Sequence, residues 1–136
     1  INDSKATNVE STISAVNSLK NNIILLMGGR SKTDDYAKLN TAISGKVKYL
    51  ILFGECKELL FEKINSVENI IRVKDIDSAV IKANYLAKNF LEKSENNINI
   101  ILSPACSSYD NFISYEERGH FFKNCVLNLN GIINDK

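Results

Sequence analysis

The 136-residue sequence predicts an α/β domain built on an open, mostly parallel sheet with helices on both faces. Three observations carry that prediction. Four short runs of Ile, Leu and Val recur along the chain, segments with helical spacing of apolar residues alternate strictly with them, and no repeat, low-complexity tract or Pro- or Gly-rich linker interrupts the alternation. Strands joined in this way through helices pair in parallel, with right-handed crossovers.

The first helical stripe is Val9, Ile13 and Val16. Ahead of it, TNVE (residues 7–10) reads as a capping box: the Thr7 hydroxyl takes an orphan N–H while Glu10 reaches back to the cap. The helix is thus expected to start near Val9, and a strand before it would end near Ile1. The sequence opens on INDSKATN, without an initiator Met, and is read as part of a longer chain that has lost most of that first strand. IILLM (23–27), VKYLILF (47–53), NIIRV (69–73) and INIIL (98–102) are apolar runs bounded by polar residues or glycine, as expected of strands covered on both faces. Between them lie stripes at Tyr36, Leu39, Ile43; at Cys56, Leu59, Leu60; and at Ile76, Val80, Ala83, Ala87, Phe90. A last stripe, Phe122, Cys125, Val126, Leu129, is followed by Gly131, a candidate C-cap before a fraying tail.

Composition narrows the function. A net charge of +1, with scattered lysines, leaves no electrostatic footprint for nucleic acid or an acidic membrane, so a small molecule or a protein is the expected partner. No apolar stretch approaches the roughly 20 residues that span a bilayer. Cys56, Cys106 and Cys125 are odd in number and widely spaced, which argues against a disulfide framework and a zinc site and suits a reducing compartment.

In an open parallel sheet, ligands bind beyond the carboxyl ends of the strands. Three polar loops are expected there: NDSKATN (2–8), GGRSK (28–32) and SPACSSYDNF (103–112). Lys5 and Lys32 bring charge, Thr7 and Ser108 bring hydroxyls, and helix N-termini bring free N–H groups, so their common chemistry is anion binding. Gly28-Gly29 serves equally as a tight turn, and GxxxxGK[ST] is absent from the chain. Cys106 with His120 is a conceivable thiol–base pair, but no third group orients them, and packing is the better reading of Cys106. Asp34-Asp35, ahead of Tyr36, fits the capping of a helix start, and YEERG (115–119) fits a solvated helix face.

The same loops carry a resemblance. NDSKATN, then GGRSK, then ILSPACSSYDNFISYEERG followed by FF resemble, in order and over essentially the whole chain, the C-terminal domain of the Mur ligases. Within them, the closest pattern is that of the ligases that add D-glutamate to UDP-N-acetylmuramoyl-L-alanine in peptidoglycan precursor synthesis. The resemblance implies a Rossmann-like domain over residues 1–136, one of three in a monomeric cytoplasmic enzyme. Its N-terminal domain holds the UDP end of the substrate, and its central domain binds most of the ATP and Mg2+. Neither nucleic acid nor membrane is implied as a partner. By the same resemblance, Thr7 and Lys32 grip the α-carboxylate of D-glutamate, Ser108 and Tyr115 line the side-chain carboxylate pocket, and Tyr109 forms part of its wall. Asp3 is implied near the ATP ribose and Lys5, the catalytic candidate, near the terminal phosphate. Arg30-Ser31, Tyr109 and Tyr115 depart from the residues usual at those places. Another Mur or folylpolyglutamate-type ligase, or a free-standing module that binds nucleotides or amino acids, would share the fold.

Overall fold

The computed structural model describes residues 1–31 and 34–134, the side chains of 130–134 excepted. Its elements run α1 (Val9–Asn17), β1 (Ile23–Gly28), a 3-10 turn (Tyr36–Lys38), α2 (Leu39–Ile43), β2 (Val47–Phe53), α3 (Lys57–Lys63), β3 (Ile70–Arg72), α4 (Ile76–Lys93), β4 (Asn99–Ala105) and α5 (Tyr115–Asn134). All four strands pair in parallel, in the order β3-β2-β1-β4.

Burial explains this order. β1 is buried at all six positions and takes a neighbour on each side. Side chains alternate across it: Ile23, Leu25 and Met27 face one core with α1, α2 and α3, and Ile24 and Leu26 face the other with α4 and α5. Each such side chain contributes about 1.5–3 kcal/mol on burial. β3 is short and partly exposed, as suits an edge. Its Arg72 lies over the Phe61 ring, 4.0 Å from the centroid, and pairs with Glu58 at 2.8 Å.

The chain steps outward from β1 to β2 to β3, then returns across the sheet to β4. Right-handed crossovers running in opposite directions place their helices on opposite faces, and α2 and α3 indeed lie opposite α4. The order therefore reverses between β1 and β4, and this switch point is where an open α/β sheet forms a ligand crevice. Residues 1–3 extend the sheet beyond β4: Ile1 and Asp3 hydrogen-bond with Ile100 and Leu102, and Asn2 makes a parallel bridge to Leu102. Among the described residues, no helix is long and apolar enough to cross a membrane.

Several local expectations are corrected. The cap of α1 is Asn8, whose side chain accepts from the Ser11 N–H at 2.9 Å, one residue after Thr7. Glu10 does not fold back but faces Lys38 at 4.0 Å. Asp34 caps no helix of its own; its carboxylate accepts from the N–H groups of Val9 and Asp35. Gly131 lies inside α5, which continues to Asn134.

Helix α4 is capped by Asp75, whose carboxylate accepts the Ser78 N–H at 2.9 Å. That bond holds the Asp75 carboxyl below its ordinary value of 3.8. Asp75→Ala is expected to cost about 1 kcal/mol, read as a lower urea midpoint at neutral pH. A depressed folded-state value means the contribution is complete above 3.8 and lost as the pH falls through the folded value, so variant and wild type should converge in acid.

Candidate functional site

Strand β4 does not end at Leu102, as the apolar run suggests, but continues through Ser103-Pro104-Ala105. Leu26 pairs with Leu102 and Gly28 with Ala105, so β4 carries one extra residue there, a bulge. Pro104 has no N–H for a ladder, and a bulge is where a strand tolerates it. Ala105, at φ 61°, gives its N–H to the Ala6 carbonyl instead, at 2.9 Å. The bulge thereby ties the end of β4 to the loop before α1. Ser103 reinforces the tie through its hydroxyl, which donates to the Asp3 carboxylate at 3.0 Å, and through its carbonyl, which accepts from the Thr12 hydroxyl.

The loop after β1 joins the same assembly. Arg30 and Ser107 exchange backbone hydrogen bonds of 2.9 and 3.1 Å, and the Ser107 hydroxyl donates to the Arg30 carbonyl. Gly28 and Gly29 have φ of 154° and 132°. A Cβ on Gly28 would strike the Phe53 carbonyl, and one on Gly29 the Ser107 carbonyl. Crowding by neighbouring backbone thus accounts for the glycine pair, without an anion. Gly29→Ala should cost at least about 2 kcal/mol, from backbone strain plus displacement of Ser107. Its urea midpoint should fall accordingly with little change in m.

At the centre of the three loops lies a residue that sequence reasoning missed. Arg118, on the first turns of α5, is 0% exposed. Its Nε donates to the Ser4 hydroxyl at 3.0 Å, Nη2 to the Ser4 carbonyl at 2.8 Å and Nη1 to the Cys106 carbonyl at 3.0 Å. The Ser4 hydroxyl in turn donates to the Tyr115 carbonyl at 2.8 Å. Nη1 would also lie 3.1 Å from a Cβ on Gly29. Burial lowers the guanidinium to about 10, opposed by Asp110 and the nearby cysteines, so it stays charged at neutral pH. The planar fork suits this work, since one side chain reaches two loops in fixed directions. A signal was present: extended back by one turn, the stripe of Phe122, Cys125 and Leu129 reaches Arg118. YEERG is therefore not wholly a solvated face.

The sequence-derived residues fall around this hub. Ser108, 2% exposed, opens the turn after β4, its carbonyl accepting from Phe112 at 2.9 Å. Tyr109 is 62% exposed and Tyr115, at the start of α5, is 36% exposed. A hydrogen bond to Glu116 raises the Tyr115 hydroxyl above its ordinary range. Thr7 is half-buried, beside exposed Lys5. Asp3 and Lys5 share an open groove of about 700 Å³ along α1. Lys32 lies outside the described residues; to either side of it, Arg30 is bonded to Ser107 in the loop after β4, and Asp34 accepts the Val9 N–H at the start of α1.

The suggested thiol–base pair is not supported. His120 is exposed, whereas Cys106 is 0% exposed with its sulfur 3.0 Å from that of Cys56 and 3.7 Å from the Tyr36 hydroxyl. Among the described residues, no group of three or more His, Cys, Asp or Glu side chains could hold a metal ion. What the edge offers is hydroxyls, main-chain N–H groups and cations around a rigid buried hub. Such an arrangement can grip carboxylates or phosphates and exclude water from them.

Comparison with known proteins follows the same direction. Residues 1–101 match the family model described as Mur ligase, glutamate ligase domain. Curated relatives include the UDP-N-acetylmuramoylalanine--D-glutamate ligases of Alkaliphilus metalliredigens, 37% identical over 131 residues, and Desulfotalea psychrophila, 40% identical over 131 residues. That of Pseudothermotoga lettingae is 41% identical over 134 residues. These matches cover 95–96% of the chain but only 27–29% of each relative. Among solved structures, a folylpolyglutamate synthase from Thermotoga maritima aligns with a TM-score of 0.47 at 14% identity, over 72% of this chain and 23% of that one.

Proposed function

The chain belongs to the Mur ligase family, through its glutamate ligase domain, and from that premise we propose that it is the D-glutamate-binding domain of an ATP-dependent, amide-forming ligase of peptidoglycan precursor synthesis. The observation that carries the reading is the joining of three loops at the β1/β4 switch point by Arg118, the Ala105–Ala6 bond and the Arg30–Ser107 bridge. The relatives' printed activity supports the choice of D-glutamate.

In this reaction the carboxylate of UDP-N-acetylmuramoyl-L-alanine takes the terminal phosphoryl group of ATP and becomes an acyl phosphate. The amine of D-glutamate attacks the acyl carbon, and the tetrahedral adduct expels phosphate to leave the amide. The work of this domain is positional. D-glutamate carries two carboxylates, and fixing both aims its amine; such orientation can supply about 7–11 kcal/mol of barrier reduction. Lys32 and Thr7 hold the α-carboxylate, Ser108 and Tyr115 the side-chain carboxylate, and Tyr109 walls the pocket. Lys5 meets the terminal phosphate and Asp3 the ribose. Asp3 already accepts the Ser103 hydroxyl on one carboxylate oxygen, which leaves the other for a ribose hydroxyl. By the family resemblance, Mg2+ and most of the ATP contacts are assigned to a central domain of the enzyme. The whole enzyme would act as a cytoplasmic monomer, and the 136-residue chain alone should release no phosphate.

The test gives the full-length protein ATP and UDP-N-acetylmuramoyl-L-alanine with D-glutamate, L-lysine or diaminopimelate in turn. Phosphate release with D-glutamate alone is expected. Release with L-lysine or diaminopimelate instead would move the domain to a different Mur ligase, and release with none would reject the ligase reading.

A further inference from the structure

Cys56 and Cys106 lie 50 residues apart, and the fold brings their sulfurs to 3.0 Å. Both are buried, at 4% and 0% exposure, while Cys125 sits elsewhere, in the core between the sheet and α4 and α5. The pair occupies a mechanical junction. Cys56 precedes the first turn of α3 and gives its N–H to the Gly29 carbonyl at 2.9 Å. Cys106 follows the β4 bulge, and its carbonyl accepts from Arg118.

The surroundings ease deprotonation of one partner relative to the other. Either sulfur can donate across the 3.0 Å contact; with Cys56 as the donor, the hydrogen bond lowers the Cys106 value, with further help from the Tyr36 hydroxyl and the Arg118 charge. Cys56 correspondingly holds its proton tightly, through that hydrogen bond and then through burial. A low-affinity proton beside a second thiol is the arrangement that supports thiol–disulfide exchange.

We propose that Cys56 and Cys106 are a reversible dithiol–disulfide site, oxidised by a low-molecular-weight disulfide, that locks the loop after β4 to the start of α3. One cysteine thiolate attacks the oxidant, forms a mixed disulfide and expels one small thiolate. The second cysteine then attacks the protein sulfur of that mixed disulfide and expels the other. Two cysteine thiols are oxidised, their two protons pass to the two leaving thiolates, and one oxidant disulfide is reduced. Burial makes the first step wait on a local opening, whereas the second starts from sulfurs already in contact. The chemistry rests on this geometry and not on the ligase reading.

The test equilibrates the 136-residue chain in glutathione buffers of rising oxidised fraction, quenches with acid, alkylates and maps the peptides. Cys56 and Cys106 should lose alkylation together, in one transition, and appear in a single linked peptide with a mass loss of about 2 Da, the two hydrogens of a two-electron oxidation. Cys125 should remain alkylated. Cys125→Ser should leave the transition unchanged, and Cys56→Ser should abolish the linked peptide. Three thiols alkylated across the whole range, a glutathione adduct on Cys106 without a link to Cys56, or a link through Cys125 would each overturn the proposal. The wild-type peptide map decides the matter even if Cys56→Ser does not fold.

Discussion

Arg118→Ala is expected to lower the unfolding free energy by about 3–5 kcal/mol, the largest loss of any single truncation in the candidate site. Three acceptors, the Ser4 hydroxyl, the Ser4 carbonyl and the Cys106 carbonyl, lose their donor at once. Each buried polar group left without a partner costs about 1–3 kcal/mol, and the vacated volume adds a cavity term. Relief from burying a charge offsets part of this, which keeps the total below the simple sum. Arg118→Lys keeps a cation but not the fork, so it should recover less than half of the loss. Urea unfolding at neutral pH reads both values. The guanidinium is protonated in folded and unfolded states alike until the pH nears its folded value of about 10, so the deficit should be flat with pH below that point. An unfolding free energy within about 0.5 kcal/mol of wild type, the range of ordinary surface changes, would remove Arg118 from the centre of the account.

Lys32→Ala, in the full-length enzyme, is expected to raise the KM for D-glutamate by about ten- to a hundredfold while leaving the KM for ATP within about twofold. A hydrogen bond to a charged group contributes about 1.5–3 kcal/mol, and each 1.4 kcal/mol is tenfold in affinity. The loss should fall on D-glutamate because the proposed function assigns the lysine to its carboxylate and not to the nucleotide or the acyl phosphate. Steady-state kinetics with each substrate varied in turn separates the cases. Equal losses toward D-glutamate and ATP would point to a misfolded loop, and unchanged kinetics would remove Lys32 from the site.

Most of the fold was legible because burial and periodicity are local properties of the chain. Apolar runs marked all four strands, and the helical stripes fell on the described helices, save that Tyr36 lies in the 3-10 turn before α2 and Cys56 just precedes α3. The errors lie at element ends, where chemistry from distant segments decides. Thr7 and Asn8 are both competent caps, and the carboxylate of Asp34 reaching the Val9 N–H contributes to the start of α1. Gly131 suits a helix end, but α5 continues past it. The extension of β4 to Ala105 is set by pairing with Gly28 and Ala6, which no apolar run records.

The candidate site was legible as three loops on one edge, because strand polarity in a parallel sheet fixes which loops share an end. What joins them was less so. Arg118 could have been found from its place on the stripe that includes Phe122, although a charged residue there reads first as solvent-facing. The Cys56–Cys106 contact could not, since spacing rules see neighbours in sequence and these two meet only through the pairing of β1 with both β2 and β4.

The central claim is that D-glutamate is held by the loops at the β1/β4 switch point. A structure of the full-length protein with D-glutamate bound tests it most directly. The account predicts one carboxylate against Lys32 and Thr7 and the other against Ser108 and Tyr115, with Arg118 buried beneath and still bonded to Ser4 and Cys106. D-glutamate bound on another domain, with these loops turned away from it, would contradict the account.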